Sequence, residues 1–274
     1  MKLDLHTHSA ASDGLLTPRE LLAQALAADV ELFSITDHDT LAAYDEIGRA
    51  PMQGRTRIIA GVELSADWRG RVVHILGYGF SWDAPALRAG LTLQRERREA
   101  RAWAIGERLR KKGIEGAFDG ARTLAGGGSI GRPHFARHLV ATGAARSVDE
   151  AFTRWLNDRA TAGIAQQWAT LAEAVEWIAS DGGSAVLAHP AKYSFTQTRL
   201  RELLADFAAA GGQGMEVVCG RQPPEATLEL GRTCARFGLL ASAGSDFHGP
   251  ESWAPAPGIT PVLPAGLTPL WAQW

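Results

Sequence analysis

The sequence predicts an α/β fold: a mostly parallel sheet, open or closed into a barrel, interrupted by a helical insert. Two observations carry this. Short apolar runs alternate with helical patterns along most of the chain, which is the signature of strand–helix units. Several of those runs are apolar on both faces, as strands covered on both sides are. A third observation sets the insert: residues 95–166 contain no convincing strand. The chain therefore divides into residues 1–94, a helical insert or lid at 95–166, and residues 167–274.

The elements follow in order. The predicted strands are LDLHTH, LFSITDH, RIIAGVELS, VVHILGYGF, SAVLAHP, GMEVVCG and LLASAGSDFH. Thr17-Pro18-Arg19-Glu20 is a capping box with proline in the first helical turn, and Thr170 to Glu173 repeats the box without proline. Amphipathic patterns span residues 198–210 and 225–237. In the insert, RERREARAWAIGERLRKKG reads as a long polar helix and AGGGSIG as a flexible loop. RPHFARHLVATG and VDEAFTRWLND read as two short helices. The proline- and glycine-rich tail after His248 is expected on the surface.

Bulk properties narrow the function. The 274 residues are 46% hydrophobic, enough for a sizeable core. A formal net charge of −2 gives no global field for nucleic acid, so an anionic ligand must be drawn by local charge. The two cysteines, Cys219 and Cys234, are expected to be small buried hydrophobes in a reducing compartment. No signal pattern and no long apolar run is found, so a cytoplasmic protein with no membrane partner is expected.

The chemistry lies in where histidines and carboxylates fall. Leu3 and Leu5 alternate with Asp4 and His6, so a strand would put His6 and His8 on one face, with Asp13 in the loop beyond. TDHD places Asp37, His38 and Asp39 at the end of the second strand. GVELS places Glu63 at the end of the third, and VVHILG holds His74 within the fourth. LAHP and GSDFH end later strands with His189, Asp246 and His248. The C-terminal edge of a parallel sheet is where such folds build sites. His, Asp and Glu gathered there suit divalent metals. Nine candidates exceed one tetrahedral site and would supply two or three adjacent ions. Such a cluster activates water and neutralises phosphate charge.

DLHTHSAASDG, TDHD, GVELS, LAHP and GSDFH resemble the motifs of the polymerase-and-histidinol-phosphatase (PHP) superfamily. The resemblance spans the chain apart from the insert. It implies a distorted (β/α)7 barrel, a trinuclear metal centre and phosphoesterase chemistry. Carried onto this chain, His6, His8, Glu63 and Asp246 would hold the first ion. Glu63 would bridge to a second, held also by His74 and His189, and Asp13, His38 and His248 would hold the third. Manganese is the usual ion of the family, with iron and zinc as alternatives. His6, His8, Glu63, Asp246 and His248 are the expected catalytic set, acting through a metal-bridging hydroxide. The insert motif GRPHFARHL resembles that of small stand-alone members. Some of these are 3′,5′-nucleotide bisphosphate phosphatases and some are 5′→3′ exoribonucleases on short RNAs.

Substrate choice is expected in the insert. Arg132 and His134 sit at a helix start, where N–H groups and a bidentate guanidinium favour phosphate. Lys192 follows His189 closely. These three are the expected grip on a second phosphate. His138 shares a face with His134 but has no further local ligand. Asp37, Asp39 or Asp4 could orient a histidine. The basic run 95–112 also carries Glu96, Glu99 and Glu107, so it is read as a solvated face. One insert tryptophan is a candidate to stack on a base. The first expectation is therefore a phosphoric monoester hydrolase acting on adenosine 3′,5′-bisphosphate or a similar nucleotide. A 5′→3′ exoribonuclease on short oligonucleotides is the alternative. A histidinol-phosphate phosphatase and a non-catalytic metal-bound module rank below both.

Overall fold

In a computed structural model of the chain, residues 1–48, 52–157, 168–250 and 254–274 are described. The expected boundary at 166/167 lies outside them, as do the last residue of the VDEAFTRWLND pattern and the tryptophan that opens the tail motif.

Two sheets form the centre. The first has the order β1-β2-β4-β3, from Leu3–Asp4, Leu32–Phe33, Thr56–Ile58 and Met52–Gln53. The second has the order β10-β9-β8-β6-β5-β7. Its strands are Leu240–Gly244, Gly214–Cys219, Ser184–Leu187, Arg71–Tyr78, Gly61–Trp68 and Ala169–Thr170. Isolated parallel bridges Thr7–Phe247 and His38–Glu63 tie one sheet to the other at two places. One apolar cluster collects Leu3, Leu32, Leu76, Val186, Val218 and Ala243, so strands of both sheets surround a common interior. The fold is thus α/β, with the strands curled round a centre, and among the described residues no unbroken ladder closes it.

The helices start where the sequence supplies caps. Helix α1 (Pro18–Ala27) has the full capping box, Glu20 N–H donating to Thr17 Oγ1 and Thr17 N–H to Glu20 Oε2 at 2.8 Å. Helix α7 (Leu171–Ser180) repeats it with Thr170 and Glu173. Helix α2 is Ala42–Ile47, α8 is Gln197–Ala209 and α9 is Pro224–Arg236. Both cysteines are free and buried.

Helices α3 (Pro85–Arg110), α4 (Ala117–Ala125), α5 (Arg132–Ala141) and α6 (Val148–Ala151) make the helical segment, α6 running on into a π turn at Phe152–Leu156. They bury a separate cluster that includes Ile105, Leu109, Phe135 and Leu139. Helix α3 passes through residue 95 without a break, its first turns packing on the main core through Leu87 and Leu91.

Two strand readings need correction. The run RIIAGVELS is not one strand: it divides into β4 and β5, and β5 continues to Trp68, so Glu63 lies near a strand's start. Strand β6 runs antiparallel to both β5 and β8. Arg69 and Gly70, both at positive φ (50° and 76°), close a two-residue hairpin that forces this direction. Because β6 is reversed, His74 in its first half reaches the same end of the interior as the C-terminal ends of its parallel neighbours.

Candidate metal centre

His6 and His8 lie just beyond the short β1, in extended chain held by hydrogen bonds from Asp246 N–H to His6 O and from His8 N–H to Phe247 O, each 2.8 Å. This pairing brings the first and last motifs of the chain together. His6 Nε2 and His8 Nε2 are 3.1 Å apart. His6 Nε2 lies 3.3 Å from both Glu63 Oε2 and Asp246 Oδ1, and His8 Nε2 lies 3.2 Å from each of them. Ligand atoms about 2.1 Å from one ion stand roughly 3.0–3.4 Å from one another.

The other carboxylate oxygen of Glu63 serves a second group. Glu63 Oε1 is 2.9 Å from His74 Nδ1 and 2.9 Å from His189 Nε2. On the opposite side, His38 Nδ1 stands 3.2 Å from Glu63 Oε2. Asp13 Oδ1 lies 3.5 Å from His248 Nε2, and Asp13 Oδ2 lies 3.9 Å from His38 Nε2. All nine residues therefore fall in overlapping donor groups.

The donor set fits divalent ions on chemistry as well as spacing. Buried polar atoms normally have hydrogen-bond partners. Here His8 Nδ1, His38 Nδ1, His189 Nδ1 and Glu63 Oε2 are buried and have none. Three carboxylates share the site in ionised form. Burial opposes ionisation of Asp13, but His38, His248 and His8 hold its carboxyl well below the usual range. Glu63 is held low against burial by His38, His6 and His74, and Asp246 by Lys192, His6 and His248. Ionised carboxylates and imidazoles are what hard and borderline cations require.

Two residues outside the predicted set hold these donors, and a third lies beside them. Glu216, fully buried in β9, accepts from His6 Nδ1 at 2.9 Å and from the His189 N–H at 2.7 Å. Its signal was a lone carboxylate inside the apolar run GMEVVCG. Tyr193 Oη accepts from the His74 N–H at 2.9 Å. Arg98, on α3, lies at the cavity wall. Asp37, Asp39 and Asp4 hydrogen-bond no histidine ring; they hold backbone groups and neighbouring side chains, as expected first for Asp4. Asp37 accepts from Ser9 N–H, Ser9 Oγ and Ser12 Oγ, fixing the loop that carries Asp13. Asp39 accepts from Arg98, Gln94 and the Ser65 N–H. Asp4 accepts from the N–H groups of His6, Ser245 and Gly258.

The centre opens into a cavity of about 370 Å³. Strand ends supply one wall, with Asp13, His38, Glu63, His74, His189, Asp246 and His248. Arg98, Arg101 and Arg132 line it from the helical segment, and Lys192 lines it from the turn Pro190–Tyr193. Lys192 Nζ pairs with the Asp246 carboxylate. His134 is not placed at this wall. Its ring is buried, and Nδ1 accepts the Gly131 N–H at 3.0 Å, so it caps its own helix. His138 joins no group of metal donors among the described residues.

The fold and the donors define an α/β protein with groups able to hold divalent ions, beside a cavity lined in part by arginine and lysine. Residues 4–126 match the PHP domain. The chain is 40% identical to a 5′-3′ exoribonuclease of Haemophilus influenzae, over 100% of this chain and 99% of that protein. It is 41% identical to a 3′,5′-nucleoside bisphosphate phosphatase of Chromobacterium violaceum, over 99% and 95%. A Chromobacterium violaceum structure described as an amidohydrolase with bound sulfate and no metal superposes with a TM-score of 0.93. It is 40% identical and covers 100% of this chain and 95% of its own. The chain belongs to the PHP family.

Among the described residues no helix is long and apolar enough to cross a membrane.

Proposed function

We propose that the protein is a metal-dependent phosphoesterase that removes the 3′-phosphate from nucleoside 3′,5′-bisphosphates, leaving the 5′-nucleotide and phosphate. The observation that carries this reading is the two-walled cavity, with metal donors and Lys192 on one side and Arg132, Arg98 and Arg101 on the other. A substrate with one phosphate to cut and a second to hold matches that division of charge. One relative named above, from Chromobacterium violaceum, is a 3′,5′-nucleoside bisphosphate phosphatase.

His6, His8, Glu63, Asp246, His74, His189, Asp13, His38 and His248 would hold the ions. We read the set as three sites for Mn2+, with iron and zinc as alternatives. Bound divalent ions would supply a nucleophilic water near neutral pH and neutralise phosphate charge. The chain's own residues do the rest. Glu216 keeps the proton of His6 on Nδ1, so Nε2 presents a lone pair to the centre. Lys192 sets its charge beside Asp246, where a non-bridging phosphate oxygen can take it up. Arg132, backed by the Phe152 ring 6.0 Å away, offers planar donors to the second phosphate. The helical segment, read as a lid over this cavity, keeps bulk water from these contacts.

Replacing Arg132 with Ala tests the reading. It should raise KM for the bisphosphate at least tenfold more than for a 3′-monophosphate, an increment of about 1.4 kcal/mol. Equal effects on both substrates refute the second-phosphate role.

The 5′→3′ exoribonuclease reading has one observation in its favour. A second cavity, of about 470 Å³, shares Arg98 and Ile130 with the first and is also lined by Arg88, Arg95 and Arg122. A longer 5′-phosphorylated strand could continue there.

A further inference from the structure

We propose that Arg98 is a substrate-phosphate ligand and that Asp39 is the residue that positions it. The proposal rests on the phosphoesterase reading and adds a residue to it. Arg98 belongs to a run of charges read as solvated, yet its side chain is only 11% exposed. It continues the buried stripe of α3, in line with Leu91, Gln94, Ala102, Ile105 and Leu109 at three- and four-residue steps. A guanidinium on a buried stripe needs a reason. Here it is a wall of the cavity that holds the metal donors.

Its geometry is fixed from several sides. Arg98 Nε donates to Asp39 Oδ2 at 2.9 Å, and Nη2 donates to the same oxygen and to Ser65 Oγ at 2.9 Å. Nη1 reaches the Ile130 carbonyl at 3.4 Å, the longest of these contacts. The Trp168 ring lies 5.1 Å from the guanidinium carbon. That leaves the Nη1 edge as the one least committed to the protein. A guanidinium so held is preorganised for a phosphate oxygen.

Asp39 is built as the pivot. It is buried, with φ at 52°, a conformation that Asp and Asn tolerate better than other side chains. Its N–H donates to the Glu63 carbonyl at 2.9 Å, and it directly follows His38. Its Oδ1 accepts from the Ser65 N–H at 2.8 Å and from Gln94 Nε2 at 3.1 Å. Gln94 in turn reaches Ser65 O and the Ala169 N–H. Asp39 therefore locks the helical segment to the strand that carries Glu63 and to the loop that carries His38. Its two oxygens divide the work: Oδ1 serves the strand and Gln94, and Oδ2 serves Arg98.

This division makes the test clean. In D39N the amide oxygen can keep the Ser65 and Gln94 bonds while the NH2 faces Arg98 and releases it. R98K leaves a point cation that cannot hold Asp39, Ser65 and a phosphate together. Steady-state kinetics on manganese-loaded full-length protein should show each variant raising KM for adenosine 3′,5′-bisphosphate about tenfold or more, with kcat within about threefold. Bound manganese per chain should match wild type by elemental analysis. The D39N/R98K double variant should be no worse than R98K alone, since both act on one contact. An unchanged KM overturns the proposal. So does loss of bound metal together with kcat, which would make the network a support of the metal donors only. If wild-type protein hydrolyses no phosphoester, the functional reading fails, and calorimetry with inorganic phosphate still decides the role of Arg98. Binding at least tenfold weaker in R98K supports it, and equal binding overturns it.

Discussion

Replacing Glu216 with Gln perturbs the metal centre without touching a metal donor. The carboxylate accepts two bonds on separate oxygens, His6 Nδ1–H on Oε1 and the His189 N–H on Oε2. Glutamine has one oxygen and one NH2, so one bond must fail. If the NH2 faces the His189 N–H, two buried donors oppose each other, at a cost of about 1–3 kcal/mol. If it faces His6, it donates to Nδ1 and moves the ring proton to Nε2, the atom aimed at Glu63 and Asp246. Either way a donor histidine is mis-set. The expected cost of about 1–3 kcal/mol corresponds to roughly 5- to 150-fold in metal affinity, the range typical of residues that orient metal ligands. The assay is phosphate release as a function of free Mn2+. The concentration giving half-maximal rate should rise by that factor in E216Q, with the rate at saturating Mn2+ within a few-fold of wild type. An unchanged metal requirement would refute the reasoning. A rate loss that no amount of metal restores would refute it too.

Three further outcomes follow from the same geometry. Replacing Asp246 or His248 with Ala should abolish turnover at saturating metal while leaving the circular dichroism spectrum intact; near wild-type rates would remove both from the centre. Chelation should lower the melting temperature, because bound ions stabilise the native state by about 2.7 kcal/mol at a hundredfold excess over Kd; a melt indifferent to chelator counts against the donor set. Burial, with help from Arg137, pushes His134 down to about 4. Its unfolded form protonates near 6.5, so the stability it contributes is present above that pH and is lost as pH falls toward 4. H134Q should flatten this acid limb in thermal melts, and an unchanged limb would place its cause elsewhere.

Much of the centre was legible because its donors come in short fixed spacings just past strands: His6 with His8, Asp246 with His248, and His189 in LAHP. Sequence spacing within one loop survives folding, so these pairs point where the pattern says. What the sequence hid were relations between distant segments. The reversed direction of β6 turned on the Arg69-Gly70 hairpin, a turn signal of only two residues. Glu216 and Arg98 were hidden for the same reason: a carboxylate in an apolar strand and an arginine on an apolar stripe both signal burial with a partner, but the partner is elsewhere in the chain. His134 shows a further relation the pattern did not give: a histidine at the third helical position can turn back to cap its own helix, and here Nδ1 accepts the Gly131 N–H.

The central claim is most directly tested by product analysis. Manganese-loaded protein should be given adenosine 3′,5′-bisphosphate, with 5′-AMP, 3′-AMP and a 5′-phosphorylated RNA trinucleotide in parallel. The account predicts fast phosphate release from the bisphosphate with 5′-AMP as the sole nucleotide product, and slow release from either monophosphate. Slow release from the bisphosphate with stepwise cleavage of the trinucleotide would contradict it and assign the protein to exonucleolytic chemistry.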